Sequence, residues 1–223
     1  RYELRAILRR SGWSPAPAGA PMPPDRRGNL CVAGIRSVFQ RLDDGLRPTP
    51  RPFPPLDKPR TSAVDPSGAV YVGNLTSAGT GVWEIWKLDA GATAAVKLPF
   101  DNPTLGARAV DSKGVVYSAN LLSRSLLQLQ PGAQQPTEIR LEEGILVRAV
   151  AVGEDDAVYI GSRGDTGTSV YRIAPGASKA EQLPIKGFTW DLTNPGLAVN
   201  DNGGVFVADS EKNRVVTLPM VRT

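Results

Sequence analysis

Short apolar runs rich in β-branched and aromatic residues recur along the chain, each broken by a turn carrying Gly, Asp, Asn or Pro. The most regular unit reads Ala-Val-Asp-x-x-Gly-x-Val-Tyr and stands at 63–71 and again at 109–117. At 198–206 Asn replaces Asp and Phe replaces Tyr. At 151–159 the apolar flanks persist, but the turn becomes Gly153-Glu154-Asp155-Asp156. The copy at 25–32 is the most degraded. Asp or Asn closes such a turn with its own side chain, and Gly supplies the positive φ of a hairpin return. The flanking residues suit pleated, buried strands. The unit is a β-hairpin.

The aromatic position of the unit is held by Cys31, Tyr71, Tyr117, Tyr159 and Phe206, at steps of 40, 46, 42 and 47 residues. All are expected in the core, Cys31 as an inert buried thiol. A second marker, Leu/Ile-x-x-Gly, ends at Gly45, Gly91, Gly132 and Gly176, with steps of 46, 41 and 44. Two markers sharing one period in the forties, with several strands per period, predict propeller blades. The third strand of a repeat is expected at 82–88, 126–129 and 213–218, and the fourth at 95–100 and 137–141. The fold class expected is all-β, a β-propeller of about five four-stranded blades over residues 25–223.

The fifth repeat has no fourth strand, whereas Tyr2, Leu4, Ala6 and Leu8 alternate with Glu3, Arg5 and Arg9. Residues 1–24 therefore form either a strand closing the ring or a linker. Leu4, Ile7 and Leu8 would equally share one face of a short helix.

Composition narrows the chemistry. The chain has 223 residues, and its 23 Gly and 20 Pro lie between the apolar runs, as many tight turns require. A formal charge of +4 is spread without long basic runs, so no nucleic-acid partner is expected. One cysteine permits no intrachain disulfide, and no stretch reaches the roughly 18 apolar residues of a membrane span. Histidine is absent. That removes Ser-His-Asp and Cys-His hydrolysis and His-based zinc sites. With no nucleophile motif either, the reading is a non-enzyme without cofactor or metal.

The repeats resemble NHL-type propellers, whose hairpin is followed by Asn-Arg-Val, here Asn213-Arg214-Val215. Leu98-Pro99-Phe100, echoed by Leu183-Pro184-Ile185, is similar to the extracellular sensor propeller of mycobacterial receptor Ser/Thr kinases. The resemblance implies an extracytoplasmic binding or sensing module, a monomer or receptor-attached domain. Its partner would be a protein or glycan of the cell envelope, or a small ligand.

Ligand sites of propellers gather where second-to-third and fourth-to-first strand loops meet the channel. On that face the candidate ligand-binding residues are Trp190, Asp191, Arg163, Asp165, Asn74, Asn120 and Asp209. Trp190, in a long polar loop, is expected at the loop tip as a binding anchor, or else as a plug of the channel or a cover over a blade edge. The enzyme alternative is a metal-dependent lactonase or lyase using Asn74, Asn120, Asp165 and Asp209. A further alternative is RNA binding by a basic face. Arg163-Gly164-Asp165 also spells an integrin-type triplet, and Asn74-Leu75-Thr76 a glycosylation sequon. Glu154, Asp155 and Asp156 sit at a turn and read as a solvated hairpin.

Overall fold

The computed structural model describes residues 30–32, 40–42, 48–76, 82–100, 108–120, 124–164, 167–190, 196–209 and 211–219. Among these there are strands and turns but no helix. Five antiparallel sheets follow one another along the chain. The first holds β1 (Leu30–Val32), β2 (Gln40–Leu42) and β3 (Pro48–Pro50). The second holds β4 (Lys58–Val64), β5 (Val70–Leu75), β6 (Trp83–Leu88) and β7 (Val96–Lys97). The third has β8 (Arg108–Val110), β9 (Val116–Asn120), β10 (Ser125–Leu129) and β11 (Thr137–Arg140). The fourth has β12 (Val147–Val152), β13 (Val158–Gly164), β14 (Gly167–Ile173) and β15 (Glu181–Gln182). The fifth has β16 (Gly196–Val199), β17 (Val205–Asp209) and β18 (Arg214–Leu218). The expected four-stranded unit is met in three sheets, while the first and fifth show three strands among the described residues. The proposed closing segment, residues 1–24, lies outside the described residues.

Within each sheet sequential strands pair as hairpins, and the first strands neighbour one another in order: β1 beside β4, β4 beside β8, β8 beside β12, β12 beside β16. This is a propeller arrangement, with meandering sheets set around a line of innermost strands. Each core accordingly lies between successive sheets. Tyr71, Ile85 and Phe100 of the second pack against Val116, Leu127 and Leu129 of the third. Tyr117, Ala119 and Leu126 meet Val147, Val158 and Ile160 of the fourth. Tyr159 and Val170 meet Val205 and Val207 of the fifth.

The hairpin turn explains its own motif. The Ala69 N–H and Ser67 N–H donate to Asp65 Oδ1 at 3.0 and 2.9 Å, and the Tyr71 hydroxyl donates to Asp65 Oδ2 at 3.0 Å. The third sheet repeats this, with Val115 and Lys113 N–H on Asp111 Oδ1 and Tyr117 on Oδ2 at 3.2 Å. One buried carboxylate thus closes the turn and fixes the aromatic that enters the next core. Burial first, and the facing Asp111 second, push the Tyr117 phenol up to about 12. In the fifth sheet Asn200 Oδ1 still accepts Gly204 and Asn202 N–H. The aromatic position here is Phe206, which has no hydroxyl to satisfy. Phe206 is only half-buried, a correction to its expected place in the core.

The fourth sheet breaks the rule and shows how. Gly153 stands where Asp would be, so the buried Tyr159 hydroxyl has no carboxylate of its own turn to donate to; the Arg172 guanidinium lies 6.0 Å from its ring centre instead. Asp156 takes the place of the turn glycine at φ 59°, where Gly68 and Gly114 have φ 86° and 81°. Its carboxylate accepts the Ser112 N–H at 2.8 Å and hydroxyl at 2.9 Å, joining the turns of adjacent sheets. Burial pushes this carboxyl up, but the Ser112 bonds and Lys113 outweigh it and hold it below the usual range. Asp155 pairs with Arg172 at 2.7 Å. The acidic cluster is therefore structural, bridging two sheets as well as closing a hairpin.

Removing a buried acceptor that serves two N–H groups and a hydroxyl costs about 2–3 kcal/mol. Asp111→Ala is expected to lower stability by about that much in urea unfolding. The pair Asp111→Asn with Tyr117→Phe recreates the fifth-sheet combination, so it should lose less than the sum of its single substitutions. Strict additivity would contradict the linkage.

Candidate functional site

In the second to fifth sheets the second strand runs away from the hairpin turn just described and ends at the opposite face. Three residues past the aromatic position stand Asn74, Asn120, Ser162 and Asp209. Asn74, Ser162 and Asp209 are buried, and Asn120 is half-buried. Their position is legible in the sequence; their partners are not. Asn74 Oδ1 accepts the Lys58 N–H at 2.9 Å, Ser162 Oγ the Leu146 N–H at 2.9 Å, and Asp209 Oδ1 the Thr189 N–H at 3.2 Å. Each donor belongs to the segment entering the same sheet's innermost strand. A buried N–H without an acceptor is costly. These side chains thus tie the incoming segment to the sheet. Ser162, whose role matches that of Asn74 and Asp209, is the residue the sequence reading misses; its distance from Tyr159 is the signal that finds it.

The remaining valences of Asn74 and Asp209 are also engaged. Asn74 Nδ2 donates to Glu84 Oε2 at 3.4 Å, and Trp86 Nε1 and Lys97 converge on the same carboxylate. Burial raises the Glu84 carboxyl, but Lys97, Trp86 and Asn74 together hold it below the usual range. Asp209 Oδ2 accepts Arg214 Nε at 2.9 Å, and Arg214 is the first cause of an Asp209 carboxyl held below the ordinary value. A metal-dependent propeller site would need these oxygens directed at an ion. They are instead occupied by backbone N–H groups and a guanidinium, and among the described residues no three His, Cys, Asp or Glu cluster. Of the four candidates, Asn74 and Asp209 are thus engaged by the scaffold, and Asp165 lies outside the described residues.

Trp190 is corrected. It is not at a loop tip but fully buried between the fourth and fifth sheets, tilted 57° to Phe188 with ring centres 5.2 Å apart. It lies over Gly161, where a Cβ would come within 2.1 Å of its ring. Gly73, Ala119, Gly161 and Ala208 occupy the same register position, and at Gly161 a side chain would evict the indole. The segment is pinned along its length: Thr168 Oγ1 donates to the Phe188 carbonyl at 2.6 Å, Arg214 to that of Gly187, and Arg163 Nη1 to that of Trp190. Arg163 ends half-buried at the strand-end face. Asp165 and Asp191 lie outside the described residues, so the integrin-type triplet and the acidic neighbour of Trp190 receive no structural account. Asn74, being buried, presents no exposed sequon side chain.

Residues 196–218, covering the fifth sheet, match the NHL repeat. No curated protein sequence matches this chain. A gluconolactonase from Xanthomonas campestris is similar in structure, with TM-score 0.66 at 10% identity over 88% of this chain and 70% of that one. A catalytically inactive histidine-to-alanine variant of virginiamycin B lyase from Staphylococcus aureus, bound to quinupristin, gives 0.63 at 11% over 93% and 72%. A chain of a nidogen/laminin complex gives 0.67 at 12% over 89% and 74%. These likenesses show the propeller fold. They also correct the non-enzyme expectation, because two of the three similar propellers are a lactonase and a lyase. Lack of histidine does not remove the chain from a fold that carries enzymes.

Two predictions follow from the pinned segment. Trp190→Ala removes a fully buried aromatic and is expected to cost about 3–5 kcal/mol in urea unfolding. A variant as stable as wild type would mean that the indole is not core. Because the Asp209 carboxyl titrates below its ordinary value near 3.8, its contribution is complete above that pH and disappears as pH falls towards the folded value. Wild type should therefore lose stability more steeply than Asp209→Asn as pH falls below 3.8, compared by thermal melts.

Proposed function

We propose that the chain is a recognition module whose five sheets are blades of one ring, with residues 1–24 as its closing segment. Its ligand surface is the face where β5, β9, β13 and β17 end. The observation that carries this reading is a division of labour between the two ends of the sheets. At the hairpin-turn end, the buried Asp65 and Asp111 and the exposed Asn200 close short turns of one pattern. At the strand-end face, loops differ in length and composition, while the polar residues beneath them anchor the incoming segments. A rigid floor under variable loops is the arrangement that places specificity in the loops.

An extracytoplasmic location and a protein or glycan partner of the cell envelope belong to this proposal. They rest on the resemblance to receptor-kinase sensor propellers. No helix among the described residues is long and apolar enough to cross a membrane. The nidogen/laminin complex offers a precedent for a similar propeller in a protein complex.

A catalytic use of the same face is the second reading, favoured by the likeness to a gluconolactonase. The similar lyase is inactive in a variant that has lost a histidine, and this chain contains none. Ring opening of a lactone is therefore the reaction to assay first.

Charge reversal at the strand-end face separates that face from the other. Arg163→Glu should weaken retention of envelope components by at least about tenfold, a change of about 1.4 kcal/mol. Asp201→Ala, on an exposed hairpin turn at the opposite end, should leave it unchanged. Equal retention by both variants contradicts the assigned face. Hydrolysis of gluconolactone above background by wild type, lost in Arg163→Glu, would establish the catalytic reading of that face.

A further inference from the structure

The pairing of innermost with second strands is regular except at two places. Between β4 and β5 the register shifts between Pro59 and Thr61, and between β12 and β13 it shifts between Val147 and Ala149. Each shift inserts one extra residue, and in both sheets that residue is an arginine, Arg60 and Arg148. They are quasi-equivalent, each three residues before the motif alanine, Ala63 or Ala151. A β-bulge re-aims a side chain out of the regular alternation, at a cost in ladder hydrogen bonds. Both bulges fall near the start of an innermost strand, at the face where β5 and β13 end.

In the fourth sheet the surroundings of the bulge are described. Arg148 is half-buried, and its Nε is enclosed without a hydrogen-bond partner. Arg163 stands at the same strand end: its N–H donates to the carbonyl of Leu146, two residues before Arg148, at 3.2 Å. Arg163 Nη1 is fixed by the Trp190 carbonyl, which steadies one edge of that guanidinium. Neither arginine pairs with a carboxylate among the described residues. By contrast, two described acids at the same end are taken: Asp209 by Arg214 and Glu84 by Lys97.

A guanidinium partly withdrawn from water, with an N–H lacking an acceptor, calls for an oxyanion. Its planar fork matches the two oxygens of a carboxylate or phosphate, which a lysine ammonium does not. We propose that Arg148 and Arg163 form an oxyanion-binding site on the strand-end face of the fourth sheet, taking the carboxylate or phosphate group of a ligand. The site rests on the preceding reading of that face as the recognition surface and gives it a chemical class of ligand.

The test is isothermal titration of the whole chain at low ionic strength with succinate in one arm and inorganic phosphate in the other. Saturable binding of at least one anion is expected, at about millimolar affinity for so small a probe. The arm that binds identifies the group. Arg148→Met should weaken binding at least about tenfold, and Arg148→Lys, which keeps the charge and loses the fork, should fall between the two. A melting temperature close to wild type for both variants keeps the comparison about binding. No saturation by either anion up to about 10 mM, or equal affinity in wild type and Arg148→Met, overturns the site. If envelope components are retained in an Arg163-dependent way while neither anion binds, the recognition face stands and the oxyanion site fails.

Discussion

The buried acid at the end of the innermost strand in the second and third sheets holds two things at once. Through one oxygen it closes the hairpin turn, and through the other it clamps the aromatic that fills the core against the next sheet. Asp65 with Tyr71 and Asp111 with Tyr117 do this directly. Because the core of such a fold lies between sheets rather than inside any one, the aromatic clamped by one turn is what the following sheet packs on. Local turn chemistry and inter-sheet packing are therefore one constraint, and the repeats vary in ways that respect it. Asn200 retains the turn acceptor where Phe206 needs no clamp. Gly153 abandons the clamp, and Arg172 and the Ser112–Asp156 bridge appear in that region instead.

This constraint also governs the opposite face. In the second to fifth sheets the second strand, started correctly by its turn, delivers a small residue and then a polar one to its far end. The small residue leaves room for the incoming segment, as Gly161 does under Trp190. The polar residue, Asn74, Ser162 or Asp209, accepts that segment's N–H. A scaffold built this way uses up its buried carboxylates and amides internally. Chemistry for a ligand is left to groups that the register shifts and loops bring out, and in the fourth sheet those are arginines.

What was legible in the sequence follows from the same physics. Turn closure depends on side chains within four residues of one another, so Asp65 and Gly68 announce themselves, and with them the period and the strands. The third strands at 83–88 and 214–218 and the all-β class follow from that local pattern. Contacts over longer separations leave no such mark. Trp190 reads as an exposed loop aromatic because its cover, Gly161, is 29 residues away and is itself one glycine among many. Asn74 and Asp209 read as ligand groups because nothing in the chain announces the Lys58 and Thr189 N–H groups they accept. The bulges at Arg60 and Arg148 are single-residue register shifts, visible only once the strands are paired.

The central claim is that the polar groups at the strand ends serve the scaffold while Arg148 faces a ligand. Solution NMR of the whole chain reads both halves together, following the Lys58, Leu146 and Thr189 amides and the Arg148 Nε–H during addition of an anion. The account predicts that the three amides are protected from hydrogen exchange and hold their shifts, while the Arg148 Nε–H signal moves and saturates. Unprotected amides that shift with the anion, beside an Arg148 signal that does not move, would contradict it.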